Sequence, residues 1–306
     1  MTRKEFVTKA TDSLAGNYSP GEAKAISIRI LSHFLGLSEY EYSVEPNVVI
    51  PKPDLTRMQN ALDELAADRP VQYVIGQEEF EGHIFHVDES VLIPRPETAQ
   101  LCRLVEADIR RSRIREPRIL DAGTGSGCIA WTLAAAFPKA EVFAIDNDEA
   151  ALKVAREQKI YLDEACRQPV PVSPVFFKAD ILSGPPEAED RDTGDIPNME
   201  DLDILVSNPP YVCDSEKDFM APNVLNYEPD TALFVPDSDP LRYYKALAGW
   251  AQALLIPGGK CWLEINEAFG PQVKELYEGR GFSEVEILQD LHGKNRFVTF
   301  TKWTVI

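Results

Sequence analysis

The segment Ser207-Asn208-Pro209-Pro210-Tyr211 sets an amide side chain, two prolines and a phenol directly after the apolar run Ile204-Leu205-Val206. That run is short, β-branched and bounded by polar and proline residues, so it reads as a buried strand ending in a rigid turn. Asn208 then falls at the carboxyl edge of a strand, where open parallel α/β sheets bind their ligands. Both prolines have a fixed φ and no N–H, which leaves the Asn208 side chain and the Pro209 carbonyl as well-held acceptors. A planar NH2 group fits between two such acceptors, and Tyr211 adds an aromatic face and a hydroxyl beside them. The alternative is a proline-rich turn with an Asn cap, and the rest of the chain decides between the two.

A second constellation lies upstream. Arg118-Ile119-Leu120-Asp121 reads as a strand, Ala122-Gly123-Thr124-Gly125-Ser126-Gly127 as a glycine-rich turn, and Cys128 onward as a helix. Glycines let a backbone approach its ligand, and a helix start offers free N–H groups. The spacing is G-x-G-x-G with Cys128 next, so the dinucleotide fingerprint of dehydrogenases fails here. Ala140 to Asp146 is a further strand, ending in an acid at the distance (about 20 residues) where a carboxylate grips ribose hydroxyls. Together the turn and Asp146 predict an adenosine-type ligand. Asp180 closes the next strand, Val175 to Asp180; there it or Ile181 meets an adenine, or it caps an ordinary loop.

These residues need a frame. Residues 1–75 repeat apolar positions at helical spacing (Ile26, Ile30, Leu31, Phe34; Leu55, Met58, Leu62, Leu65), which predicts a small helical domain. It serves either to dock a partner or as a stabilising cap. Val71 to Gly76 and Phe80 to Val87 alternate around glycines and suggest a hairpin across 76–96, ending at Pro94-Arg95-Pro96-Glu97. Arg95 between two prolines and Glu97 at a helix start suggest a wall of a binding site. From residue 97 strands and helices alternate: helices at about 97–112, 149–164, 239–255 and 268–280, strands at 260–265, 283–289 and 296–302, and a turn at 257–259. The pattern is a doubly wound α/β sheet closed by an antiparallel hairpin. Residues 183–203 carry eight acids and one arginine, the composition of a solvated or mobile loop.

The chain has 306 residues, 44% of them hydrophobic, enough for one large or two smaller domains. No apolar run approaches the roughly 18 residues a membrane span needs, and the first residues lack a signal core, which predicts a cytoplasmic protein. Five scattered cysteines without C-x-x-C spacing predict inert thiols, and His83 and His86 fit an alternating strand better than a metal clip. No metal is expected. A net charge of −19 repels a phosphate backbone. Five arginines within residues 110–118 are the local exception, read as charges closing a helix.

With these residues in view, the chain resembles the class I S-adenosylmethionine-dependent methyltransferases, and within them the family that methylates peptide chain release factors on glutamine. The resemblance spans nearly the whole length and rests on Leu92-Ile93-Pro94-Arg95-Pro96-Glu97-Thr98, Asp121 to Gly127, Ser207 to Tyr211 and Glu228-Pro229-Asp230-Thr231-Ala232-Leu233. It implies a Rossmann-like sheet over 97–306, a substrate-docking helical domain over 1–75 and a hairpin linker over 76–96. Its cofactor is S-adenosylmethionine, with S-adenosylhomocysteine as product; the target is the N5 amide of a glutamine in the Gly-Gly-Gln motif of class I release factors. By the same resemblance Gly123, Thr124, Gly125, Ser126 and Gly127 hold the methionine part, Asp146 the ribose, and Asp180 and Ile181 the adenine, although family members often have an aromatic residue at that last position. Asn208, Pro209, Pro210 and Tyr211 carry the chemistry, Asn208 also touching the cofactor, and Arg95, Pro96 and Glu97 join them on the substrate side. A monomer is expected. Two alternatives stay open: an adenine-N6 nucleic-acid methyltransferase, since N-P-P-Y also resembles those enzymes, and a non-catalytic cofactor-binding docking protein.

Overall fold

The computed structural model describes residues 1–163, 168–186 and 197–303, which form two compact units. The first comprises Met1–Gln77 and Met220–Tyr227. Its helices are α1 (Arg3–Leu14), α2 (Pro20–Leu35), α3 (Glu39–Val44), α4 (Lys52–Ala66) and α5 (Val71–Ile75). Thr2 and Glu5 form a capping box on α1, and Ser19 caps α2 ahead of Pro20, so each start is written in side chains that satisfy free N–H groups. Phe6, Leu14, Ile30, Leu31, Met58 and Leu65 are buried together as its core. Residues 71–75, which the alternation assigns to a hairpin, instead make the single helical turn α5. Pro70 opens it and Gly76, at φ 71°, closes it, leaving too few residues for a period to show.

The second unit comprises Glu78–Phe219 and Glu228–Ile306. The hairpin is β1 (Gln77–Phe80) and β2 (His83–His86), joined by Glu81 and Gly82 at φ 49° and 78°, the left-handed pair of a tight hairpin turn. Then follow α6 (Pro96–Ser112), β3 (Arg118–Ala122), α7 (Cys128–Ala136), β4 (Glu141–Asp146), α8 (Glu149–Glu157), the short pair β5 (Tyr161–Asp163) and β6 (Gln168–Pro169), and β7 (Val175–Lys178). The chain continues through β8 (Leu202–Ser207), β9 (Val212–Cys213), β10 (Phe234–Val235), α9 (Arg242–Leu254), β11 (Leu255–Glu264), α10 (Gly270–Gly279), β12 (Ser283–Gln289) and β13 (Asn295–Thr301).

Seven strands form one sheet in the order β12-β13-β11-β8-β3-β4-β7. β3 pairs in parallel with β4 on one side and β8 on the other, and β13 runs antiparallel between β11 and β12. The order reverses between β3 and β8, the switch point at which such sheets open a crevice. Alternate residues bury on opposite faces. Leu120, Phe143 and Leu205 join Tyr244 and Trp250 of α9, whereas Ile119, Val142 and Ile204 join Val105 of α6 and Trp131 of α7. The four described cysteines are buried and unbridged, and Cys166 lies outside the described residues. Among the described residues no helix is long and apolar enough to cross a membrane.

Two further expectations are corrected. The helix predicted to run to residue 164 ends at Glu157: the Gln158 backbone turns out of the helical region (φ −60°, ψ 145°), and its side chain reaches two other segments. It accepts the His86 N–H at 2.8 Å and donates to the carbonyls of His86 and Ser126 at 2.8 and 3.1 Å, tying the hairpin to the glycine turn. The turn predicted at 257–259 lies inside β11, as a register shift between Leu255 and Lys260. Of the acidic stretch, residues 187–196 lie outside the described residues, and Met199 is buried. Close approach at the bulge requires glycine. A Cβ on Gly259 would stand 2.9 Å from the Leu202 carbonyl oxygen and 3.0 Å from that of Ile256. Gly259→Ala is therefore expected to lower the unfolding free energy by about 1–3 kcal/mol, read from a urea titration; an unchanged midpoint would show that the bulge has slack.

Candidate active site

The switch point opens into a cleft at the carboxyl ends of the strands. It gathers Gly123, Thr124, Gly125 and Ser126 after β3, Asp146 at the end of β4, Asp180 and Ile181 after β7, Asn208 and Pro210 after β8, and Arg95 and Thr98 from the start of α6. The glycine turn is shaped by the neighbouring strand. The N–H groups of Gly123 and Thr124 both donate to the Ile145 carbonyl at 2.9 Å, and Gly125 N–H donates to Asp146 Oδ2 at 2.9 Å. Gly125, at φ 52°, would direct a Cβ into open space, whereas a Cβ on Gly127 would press within 3.0 Å of the Trp131 ring. One glycine thus keeps the cleft open and the other lets the helix that follows pack closely. Beneath the turn, Asp121 Oδ2 accepts the Thr124 hydroxyl at 2.6 Å and Ala130 N–H at 3.2 Å. Burial pushes the Asp121 carboxyl up to about 7 and also raises that of Asp146, against the N–H groups of Asp148 and Gly125.

The loop carrying Asn208 is pinned at both ends. Ser207 Oγ donates to the Ala122 carbonyl at 2.5 Å, joining the tips of β8 and β3. Asn266 Nδ2 donates to the Tyr211 carbonyl at 3.2 Å and to Glu216 at 2.9 Å, and Glu216 accepts Cys213 N–H at 2.7 Å. Between these ties runs a chain of side chains: Asn208 Nδ2 donates to Thr98 Oγ1 at 2.9 Å, and Thr98 Oγ1 donates to Glu264 Oε2 at 2.8 Å. The Tyr211 hydroxyl donates to the other carboxylate oxygen at 2.9 Å. Glu264 is 1% exposed, and burial pushes its carboxyl up to about 7 against the two hydroxyls and the positive field of Arg296, with Glu97 adding to the rise. A second buried acid, Glu228, accepts Arg95 Nη2 at 2.5 Å and Ile93 N–H at 3.2 Å, and so fixes the segment between the prolines.

Ten of the residues expected from sequence meet at the cleft: Gly123, Thr124, Gly125, Ser126, Asp146, Asp180, Ile181, Asn208, Pro210 and Arg95. Five others lie outside its lining. Gly127 caps α7, Pro209 is buried, Tyr211 turns its hydroxyl to Glu264, Pro96 is exposed, and Glu97 is half-buried in the first turn of α6. Sequence reasoning missed Thr98, Glu264 and Tyr243, although the first stood inside a quoted segment. Glu264 had a signal: an acid ending the buried run Cys261-Trp262-Leu263 costs free energy unless it is partnered. Tyr243, which lines the cleft near Asp146 and Asp180, had none.

The elevated Glu264 carboxyl makes stability depend on pH with a definite sign. Its folded value of about 7 exceeds the ordinary 4.5, so its contribution is complete below about 4.5 and is lost as pH rises through about 7. Glu264→Gln removes that loss, so the melting temperature of the variant minus that of the wild type is expected to grow between about pH 5 and 8. A difference that stays constant over this range in thermal scans would contradict the assignment.

Comparison with known proteins gives the lineage. A model of the PrmC N-terminal domain matches residues 5–76, and one of the methyltransferase small domain matches residues 102–228. The release factor glutamine methyltransferase of Bacteroides thetaiotaomicron is 39% identical over 94% of this chain and 95% of its own length. That of Flavobacterium psychrophilum is 34% identical over 97% and 98%. Among solved structures, a methyltransferase from Pyrococcus furiosus is 17% identical, with a TM-score of 0.47 over 83% of this chain and 100% of its own. With such identity sustained from end to end, the chain belongs to the release factor glutamine methyltransferase family and is an S-adenosylmethionine-dependent methyltransferase.

Proposed function

We propose that this enzyme methylates the side-chain amide nitrogen (N5) of a glutamine in class I peptide chain release factors. The observation that carries this reading is that Asn208 and Pro210 line the same cleft as the glycine turn and Asp146. The cleft fits the cofactor. Gly125 leaves room where a side chain would intrude, Gly123 to Ser126 hold the methionine part, and Asp146 has the carboxylate that ribose hydroxyls need. Asp180 and Ile181 take the adenine. Ile181 is aliphatic and buried, and Tyr243 supplies an aromatic side chain in the lining. Bound there, S-adenosylmethionine supplies an electrophilic methyl on a sulfonium.

A carboxamide nitrogen is a poor nucleophile because its lone pair is delocalised into the carbonyl. Asn208 Oδ1 and the Pro209 carbonyl accept its two hydrogens, which orients the nitrogen and favours the positive charge that develops on it. Pro210 stiffens the loop and Tyr211 packs beside the acceptors. Arg95, held by Glu228, forms the substrate-side wall together with Pro96 and Glu97. Residues 1–75 dock the release factor, 76–96 link, and 97–306 carry the reaction. The enzyme is a cytoplasmic monomer, and its charge of −19 disfavours nucleic acid as substrate.

With labelled cofactor, a release factor is expected to take up label on glutamine while duplex DNA stays unlabelled; label in DNA would move the assignment to adenine. Asn208→Ala is expected to lower kcat by about 10²-fold or more, the scale for losing one preorganised polar contact to developing charge. Cofactor affinity by calorimetry should change far less. Equal loss of both would refute the role of Asn208.

A further inference from the structure

The tip of an asparagine side chain carries an oxygen and an NH2 group of nearly the same size, and packing alone does not tell them apart. Only the oxygen can accept a hydrogen from the substrate amide. Turned by half a revolution, Asn208 would aim NH2 at NH2. Something chemical must therefore choose the face, and the residues behind Asn208 do so. Glu264, when ionised, has acceptors only. Thr98, 3% exposed, has one proton and gives it to Glu264 at 2.8 Å, so what it offers Asn208 is a lone pair. Nδ2 answers it at 2.9 Å. The other carboxylate oxygen is filled by the Tyr211 hydroxyl at 2.9 Å, which stops the carboxylate from turning. The donors thus all run one way, from Asn208 through Thr98 to Glu264.

We propose that Thr98 and Glu264 are positioning residues for methyl transfer: their hydrogen-bond chain turns Oδ1 of Asn208, rather than Nδ2, into the cleft. The inference rests on the substrate amide proposed above. Neither residue needs to touch that amide. Reversing Asn208 would set its oxygen against the lone pairs of Thr98, or require a proton on a carboxylate that two hydroxyls already occupy. An apolar neighbour at 98 would leave both orientations open.

The test uses the full-length enzyme at pH 8, where the Glu264 carboxylate outweighs its neutral form. Thr98→Val keeps the shape and removes the hydroxyl; Thr98→Ser keeps the hydroxyl. In Thr98→Val, kcat is expected to fall about 10- to 100-fold, the scale of a misplaced reacting group, with cofactor Kd and release-factor KM within about threefold of wild type. Thr98→Ser should stay within about threefold of wild-type kcat. A second readout follows the side-chain NH2 resonances of Asn208, assigned by their disappearance in Asn208→Ala. They should exchange slowly with water in wild type and Thr98→Ser, and quickly in Thr98→Val. Unchanged turnover in Thr98→Val would overturn the proposal, as would fast exchange in the wild type, which needs no variant to fold. Absence of turnover by the wild type would remove the proposed substrate, and the exchange rates would still decide the role of Thr98.

Discussion

Glu264 ends β11 with its carboxylate 1% exposed, and ionised groups so placed lose several kcal/mol of solvation. Two hydroxyls and the field of Arg296 offset part of that loss, and they come from three different places in the chain: Thr98 from α6, Tyr211 from the loop after β8, Arg296 from β13. Thr98 and Glu264 stand 166 positions apart in sequence. Any arrangement that separated them would strand a buried charge, so the carboxylate fixes where α6 begins and where the Asn208 loop lies. In its ionised form the group is also directional, because a carboxylate accepts and does not donate. A hydrophobic floor could pack as well but would leave the polarity of Asn208 unset.

The cleft itself follows from strand order. β3 sends the chain toward β4 and β7, and the chain then returns to the other side of β3 as β8, so the turns after β3 and β8 face each other across a gap. The glycine turn fills one lip and Asn208 the other, and Ser207 bonded to Ala122 fixes the span between them. Asp146, Asp148 and Asp180 also line this space. An acidic lining suits a ligand bearing a sulfonium and an ammonium group, and repels phosphates, in line with the overall charge of −19.

How much of this was legible depended on range. The strand ends, the glycine turn and the prolines around Arg95 and Asn208 are local patterns, and their chemistry could be placed before any fold was known. Gln158 could not be placed that way, and Glu264 could be marked as an acid in need of a partner without the partner being named. The helix stops at Gln158, whose amide is bonded to His86 and Ser126 from two other segments. The bulge in β11 is hidden for a related reason: Pro257-Gly258-Gly259 is turn chemistry, and only the pairing with β8 keeps it inside a strand. Polar residues whose partners lie far along the chain give a local pattern nothing to hold.

N-P-P-Y illustrates the difference between a motif and a site. Read along the chain it is four adjacent groups, but in space it divides. Asn208 and Pro210 line the cleft, Pro209 is buried, and Tyr211 rests on the core that contains Tyr244 and Leu263. A phenylalanine would fill that core position equally well. Only a phenol reaches Glu264 with a donor, and without it one carboxylate oxygen would be left dry and unpartnered. The residue type at 211 is therefore set by the acid on the neighbouring strand, and that acid in turn orders Thr98 and through it Asn208. The four letters stay together because one buried charge links the last of them to the first.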